Sequence, residues 1–471
     1  QANVNIGAES SGPGPDFLLA YNGTISQVAI YATNLSSNQV FTHYAARYGP
    51  DVAPFIITQP LSVTNYVSLP ATLSVSAGGT VPLNYQWSQN GVILPGAIGP
   101  TLYFPNLVYS NAGTYTLGIT NTISGNIVTG IVSTPVTITV LAPPATPPVI
   151  PGLVMHLTFD DTLVDATGRG NNATNEASGG APLITNDYEP GVIGDAFMYQ
   201  TTVQTNSNIG TPTTNANYAT VGVRPDLKFG TNSFTVSMWV QLPANYLDGN
   251  LPFFTDVPAF ATGFGFPGFD FSPSIGTGSW GFSVIDNSPA GEGAFGPGSI
   301  INGPGPFVTN AWHSLVYVID RLNGASVYVD GTNSPITVEA LSTVVGTGSI
   351  DNTNAATIGQ DPTGVFPEPS GASTGSFFGI DDLGVWNRAL SPLEAASIYM
   401  AGVSNHISFS APPTITLGFS VQPGPKLLLT WSQGNLQGTT NLSGTWTNVV
   451  GATSPYTNTP TEGEEYFRLK Q

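Results

Sequence analysis

The chain has 471 residues, long for one domain, so two to four domains are expected. Only 8% of them are charged, against roughly 25% in an ordinary soluble domain, which leaves Thr, Ser, Asn, Gln and Gly to build the surface. Nine Lys and Arg against 28 Asp and Glu give a formal charge of −19, which excludes the basic patch that nucleic acid or an anionic membrane requires.

Acidic side chains can instead hold calcium, which takes oxygen ligands. The absence of Cys rules out a disulfide framework and cysteine metal sites. No run reaches the ~18 apolar residues of a membrane helix, so no membrane insertion is expected. Low charge with 55 Gly and 40 Pro points to an extracellular or cell-surface protein, of the kind that bacteria export without Cys. The sequence starts at Gln1, without Met or a signal peptide, so a removed upstream segment is expected.

Alternation of apolar and polar residues dominates, so the fold class is all-β, organised as several β-sandwiches. Residues 1–50 carry Ile25–Tyr31 followed by Leu35-Ser36, parallel to Ile380–Trp386 followed by Leu390-Ser391. Both segments lead into the same helix-opening device: Ser36-Ser37-Asn38-Gln39 before 40–46, and Ser391-Pro392-Leu393-Glu394 before a helix to about Ala401. The first fifty residues therefore read as the tail of a domain whose full copy lies later. Half of a sandwich cannot bury its own apolar face. It needs an upstream part of its own polypeptide or a second copy of the chain, and head-to-tail completion would give a filament.

In residues 51–142, Leu73-Ser74-Val75 is followed by Trp87 in Asn84–Gly91, and Asn111-Ala112-Gly113-Thr114-Tyr115 leads to Leu117. This segment resembles an immunoglobulin-like domain. The resemblance makes Trp87 the core tryptophan and Tyr115 the corner tyrosine, with Val75 and Leu117 standing where the family has cysteines. Residues 143–151 are a Pro-rich spacer.

Residues 152–410 contain, in order, Leu153–Asp160, Asp165–Asn172, Gly191–Gly194, Ser233–Val240, Trp312–Val318, Val327–Gly331 and Ile380–Leu390. The series resembles a laminin-G-like jelly roll of the concanavalin A-like lectin/glucanase superfamily. That resemblance implies pairing of the first and last strands, a hairpin turning at Asp330-Gly331, and a calcium ion near Asp165, Asn171, Asn172, Asp381 and Asp382. It also implies glycan binding. Residues 245–306 read as a long insertion in which Phe264, Phe266, Phe269 and Trp280 offer a platform for sugar rings, unless its aromatics pack on one another.

Catalysis is not expected. Glycosidases on this fold alternate acidic residues along one strand, whereas Asp270 and Glu292 stand alone here, Asp381 and Asp382 take opposite faces, and the four histidines are scattered. His156 and His313 fall within strand patterns. Residues 414–471, with Leu427–Trp431 and Glu465–Leu469 strand-like, resemble the small β domain that ends many exported bacterial proteins of Verrucomicrobia and their relatives. The expectation is an extracellular structural or adhesive protein, with a carbohydrate-binding module as the alternative.

Overall fold

A computed structural model describes residues 52–123, 127–177, 188–198, 201–205, 212–242, 252–257, 267–274, 279–286, 308–334, 348–363, 378–410, 417–424, 426–431, 435–442, 444–459 and 464–470, with short stretches of the first fifty. The chain divides into two units, 1–140 and 141–471.

In the first unit, Ala8–Ser10 and Phe17–Ala20 form an antiparallel pair. The capping bonds expected at Ser36 are present: Gln39 N–H donates to Ser36 Oγ and Ser36 N–H to Gln39 Oε1. The strand expected at 25–30 and most of the following helix lie outside the described residues. Between 55 and 141 the strands build a sandwich around Trp87, Tyr115 and Leu117. The Tyr115 hydroxyl donates to the Asn111 carbonyl (2.7 Å) and the Trp87 indole to Gly99 O (3.0 Å), so both buried rings have their polar atoms satisfied. Val75 and Leu117 sit in the same apolar core.

In the second unit, two sheets face each other across one core. The eight-stranded sheet runs Tyr188–Pro190, Asp195–Met198, Gly379–Trp386, Phe234–Gln241, Trp312–Asp320, Gly324–Val329, Thr332–Ser334, with Leu153–Leu157 also paired to Gly379–Trp386. First and last strands therefore pair as expected. Asp330 (φ 50°) and Gly331 (φ 73°) make the hairpin turn, both in the left-handed region that a tight hairpin of this hand demands. The seven-stranded sheet runs Thr174–Ala177, Pro212–Gly222, Ala356–Ile358, Phe254–Thr255, Gly268–Ser274, Ser279–Ile285, with Thr201–Thr205 beside Pro212–Gly222.

The stretch 245–306 is thus no insertion. It supplies three strands of the second sheet, and their period-two pattern sends Phe254, Phe269, Phe271 and Phe282 into the core against Phe234 and Tyr317.

The outer face of the eight-stranded sheet is apolar and covered. Val316, Val318, Tyr328 and Trp386 pack under the helix Pro392–Asn405 and its tail, meeting Leu390, Ala395, Ile398 and Phe409. The helix opens on the expected capping box, Ser391 Oγ accepting Glu394 N–H while Glu394 Oε2 accepts Ser391 N–H, and runs four residues past the expected end. Gly384 lets the Phe409 ring lie on the strand, since a Cβ there would stand 2.4 Å from it. The end of the Pro-rich segment is not free either. Ile150 is buried in this cluster and its N–H donates to Ser410 O.

Residues 418–470 form two three-stranded sheets, Gly418–Gln422, Lys426–Thr430, Tyr456–Asn458 and Thr447–Asn448, Asn435–Thr439, Tyr466–Lys470.

Candidate functional site

The five residues expected to hold calcium fall into two groups joined through His156. The strand Leu153–Leu157 presents the His156 N–H to Asp165 Oδ1 (3.0 Å) and the His156 Nε2 to Asp382 Oδ1 (2.7 Å). In the first group Asp165 Oδ1 also accepts the Thr167 N–H, and Oδ2 accepts the Asn171 N–H, each at 3.0 Å. The Thr167 hydroxyl donates to the same carboxylate. Asn171 donates its amide to Val154 O and Asp226, and Asn172 Oδ1 accepts the Asp165 N–H. Arg169 pairs with Asp226 (2.6 Å), and this bond holds the Asp226 carboxyl below its usual range.

In the second group the backbone is irregular. Asp382 takes φ 53° where Ser237 and Trp239 on the neighbouring strand skip a residue, a β-bulge that turns its carboxylate towards His156 and Ser408. Asp381, fully buried, accepts the Val192 and Ile193 N–H groups on Oδ2 (2.8 and 2.9 Å). Gly191 makes room for it, a Cβ there lying 2.5 Å from Oδ2. Its Oδ1 is buried without a hydrogen-bond partner among the described residues. Loss of solvent, reinforced by the neighbouring Asp382 charge, pushes the Asp381 carboxyl up to about 8.

This donor set does not fit calcium. A calcium ion collects six to eight oxygens aimed at one point, whereas these carboxylate oxygens, Asp381 Oδ1 excepted, are met by N–H and O–H groups whose positive ends already face them. Among the described residues no cluster of three or more His, Asp or Glu is placed to hold a metal ion. What the arrangement does is lock the first strand, the loop after it and the last strand together.

Ser408, His156 and Asp382 come within hydrogen-bond distance of one another, a grouping the sequence did not reveal. The Ser408 hydroxyl lies 3.0 Å from His156 Nε2 and donates to Asp382 (2.7 and 2.8 Å). A nucleophilic relay needs the serine on one imidazole nitrogen and the carboxylate on the other. Here both meet Nε2, so the triangle is a buried tie.

Of the expected aromatic platform, Phe269 and Trp280 are 1% and 2% exposed and belong to the core between the sheets. They face inward because their strands are integral to the sandwich, so they offer no ring to a ligand. Phe264 and Phe266 lie outside the described residues.

The face that does carry convergent polar groups is the outer face of the seven-stranded sheet. Its register aligns Thr174, Thr220, Thr357, Thr255, Asp270 and Ser283 in one cross-strand row. The alternation Phe269-Asp270-Phe271-Ser272 puts its rings in the core and its polar atoms in this row. Asp270 accepts the Ser272 hydroxyl (2.7 Å). Desolvation pushes its carboxyl up to about 6, with Asp256 and Asp361 adding negative charge nearby. Asp270 therefore does not stand alone, as strand spacing by itself implied.

Next to Thr255 in the chain, Asp256 is buried, accepting the Phe269 N–H (2.8 Å) and Lys228 Nζ (3.2 Å), and desolvation holds its carboxyl near 6 against the lysine. The Asp361 carboxylate caps the turn at Thr363. Only the period-two pattern signalled this row, because its members come from six separated segments.

Two sheets with a shared apolar core, one outer face sealed and the other polar, define a jelly-roll sandwich. Residues 213–396 match the laminin-G family model described as the concanavalin A-like lectin/glucanases superfamily. Among solved structures, the chain is similar to the binding domain of botulinum neurotoxin serotype G, at 18% identity over 54% of this chain and 51% of that one, with a TM-score of 0.35. It thus spans about half of that neurotoxin domain. The binding domain of Paraclostridial Mosquitocidal Protein 1 aligns at 12% identity over 67% of this chain and 72% of that one, TM-score 0.33. An immunoglobulin domain complex of titin M10 and obscurin-like 1 aligns at 22% identity over 20% of this chain and 99% of that one, TM-score 0.17. No curated protein sequence matches the chain.

Proposed function

We propose that the chain is an extracellular carbohydrate-binding protein, its ligand site on the outer face of the seven-stranded sheet of the 153–410 sandwich. The observation that carries this reading is the polar row ending at Asp270 and Ser283. Thr357, Thr255 and Ser283 are buried, so Thr174, Thr220 and Asp270 are the members of the row that reach solvent, and their hydroxyls and carboxylate supply donors and acceptors that suit the hydroxyl pattern of a sugar. The laminin-G family match supports a binding module over a catalyst. The absence of a basic patch removes nucleic acid from the candidate ligands.

The test is a glycan array probed with the full chain, followed by calorimetry on its best ligand with the wild type and Asp270→Asn. The expected result is at least a tenfold weaker affinity without a fall in melting temperature. Equal affinity in the variant would remove this face from the site. The self-assembling reading rests on residues 1–49, most of which lie outside the described residues, and nothing among the described residues adds to it.

A further inference from the structure

The last 54 or so residues, from 418 on, contain a second feature that the sandwich does not explain. Their two small sheets do not close on an apolar core: Leu429 and Leu436 are the fully buried apolar side chains of this region among the described residues. Between the sheets lies a cleft of about 430 Å³. Tyr456 and Asn458 line it from one sheet, and Asn448, Tyr466 and Phe467 from the other, with Glu465 at its side. The volume lies within the ordinary range of small-ligand sites, about 300–1,000 Å³.

We infer that this cleft is a binding site for a neutral carbohydrate of one or two sugar units. The lining includes three half-buried aromatic residues, Tyr456, Tyr466 and Phe467, and those rings that face the cleft provide the apolar surface on which a pyranose face stacks. Around them stand amides and threonine hydroxyls, groups that both donate to and accept from sugar hydroxyls. The lining contains a carboxylate and no Lys or Arg, so an anionic ligand is disfavoured.

One ring and two amides of the lining are also held in place. The Tyr466 hydroxyl donates to Glu464 Oε2 (2.6 Å), and Asn458 Nδ2 donates to Glu465 Oε2 (2.5 Å). Gln437 Nε2 donates to Asn448 Oδ1 while its own Oε1 accepts Arg468 Nε, and Arg468 lies over the Trp446 ring at 4.5 Å. The Arg468 guanidinium is thus engaged outside the cleft. Arg468 props up its wall.

The site is separate from the sheet face proposed above, so the two readings can be told apart. The full chain is titrated with neutral di- and trisaccharides of glucose, xylose, mannose, galactose and N-acetylglucosamine, followed by calorimetry and intrinsic fluorescence. The same titrations are run on Tyr466→Ala, Asn458→Ala and Asp270→Asn. The inference expects at least one saccharide to saturate, with affinity falling tenfold or more in Tyr466→Ala and Asn458→Ala and unchanged in Asp270→Asn. Tyr466→Phe, which keeps the ring, is expected to retain most of the binding and guards against a folding artefact. Binding lost in Asp270→Asn alone would overturn the inference and leave the sheet-face site standing. No saturation by any of the probes would overturn it as well.

Discussion

The two sheets of the 153–410 sandwich share one core and differ in what they show on the other side. In the eight-stranded sheet the strand Trp312–Asp320 reads Leu-Val-Tyr-Val-Ile without interruption, and every one of those side chains is buried, alternately in the core and under the helix Pro392–Asn405. In the seven-stranded sheet Gly268–Ser274 reads Phe-Asp-Phe-Ser, apolar inward and polar outward. Burial on both faces demands continuous hydrophobicity, whereas a face left to interact keeps hydroxyls and carboxylates. One sheet is apolar on both sides, and the other is apolar on one side and polar on the other, with Thr255, Ser272, Ser283 and Thr357 of its polar side buried as well.

Substitutions should separate the two faces, and the largest effect belongs to the sealed one. Trp386→Ala removes the ring that fills the space between strand and Phe409, and should cost about 3–5 kcal/mol in denaturant unfolding. A loss below about 1 kcal/mol would mean that the helix-covered face is not a true second core.

The next effect is on pH dependence. Asp381, Asp256 and Asp270 all have folded carboxyl pKa values above the unfolded one, Asp381 near 8 and the others near 6. Between the unfolded and folded values the native state keeps a proton that the unfolded chain has released. Stability is therefore greatest below the unfolded value and falls as pH rises through the folded values. Each such group contributes a slope of about 1.4 kcal/mol per pH unit inside its window. Melting temperature should drop from pH 5 to pH 8. In Asp381→Asn the drop should be shallower, above all between pH 6 and 8, where the two other groups have already ionised. An unchanged pH profile in that variant would show that the folded state does not hold the Asp381 carboxyl protonated over this range.

A smaller effect is expected at the helix start. Ser391→Ala removes the cap of the segment covering the sealed face and should cost about 1 kcal/mol. A neutral result would place the helix's stability wholly in its packing.

The smallest effect expected is that of calcium. Because Asp165, Asp381 and Asp382 accept protein donors, millimolar calcium should move the melting temperature by no more than about a degree, and EDTA should not lower it. A rise of several degrees that disappears in Asp165→Asn would mean that the loop reorganises around the ion.

Much of the architecture was legible in the residues. Period-two alternation marked the strands, Asp330-Gly331 marked the hairpin, and Ser391-Pro392 with Glu394 marked the helix start, because each is decided by neighbours in the chain. Trp87 and Tyr115 were readable as core for the same reason: their positions within local motifs are enough. Long-range matters were not. Phe269 and Trp280 could read as an exposed platform because Gly and Pro around them imitate a loop, and only strand pairing across the sheet turns them inward. Asp270 looked solitary because its partners in the row, Thr255 and Ser283 first, are brought beside it by strand register and not by any pattern along one strand. The closing of Asp165 and Asp382 on His156 depends on the pairing of first and last strands with a bulge at Asp382. Local physics decides which segments become strands, and the tertiary pairing decides which of their polar atoms remain to meet a ligand.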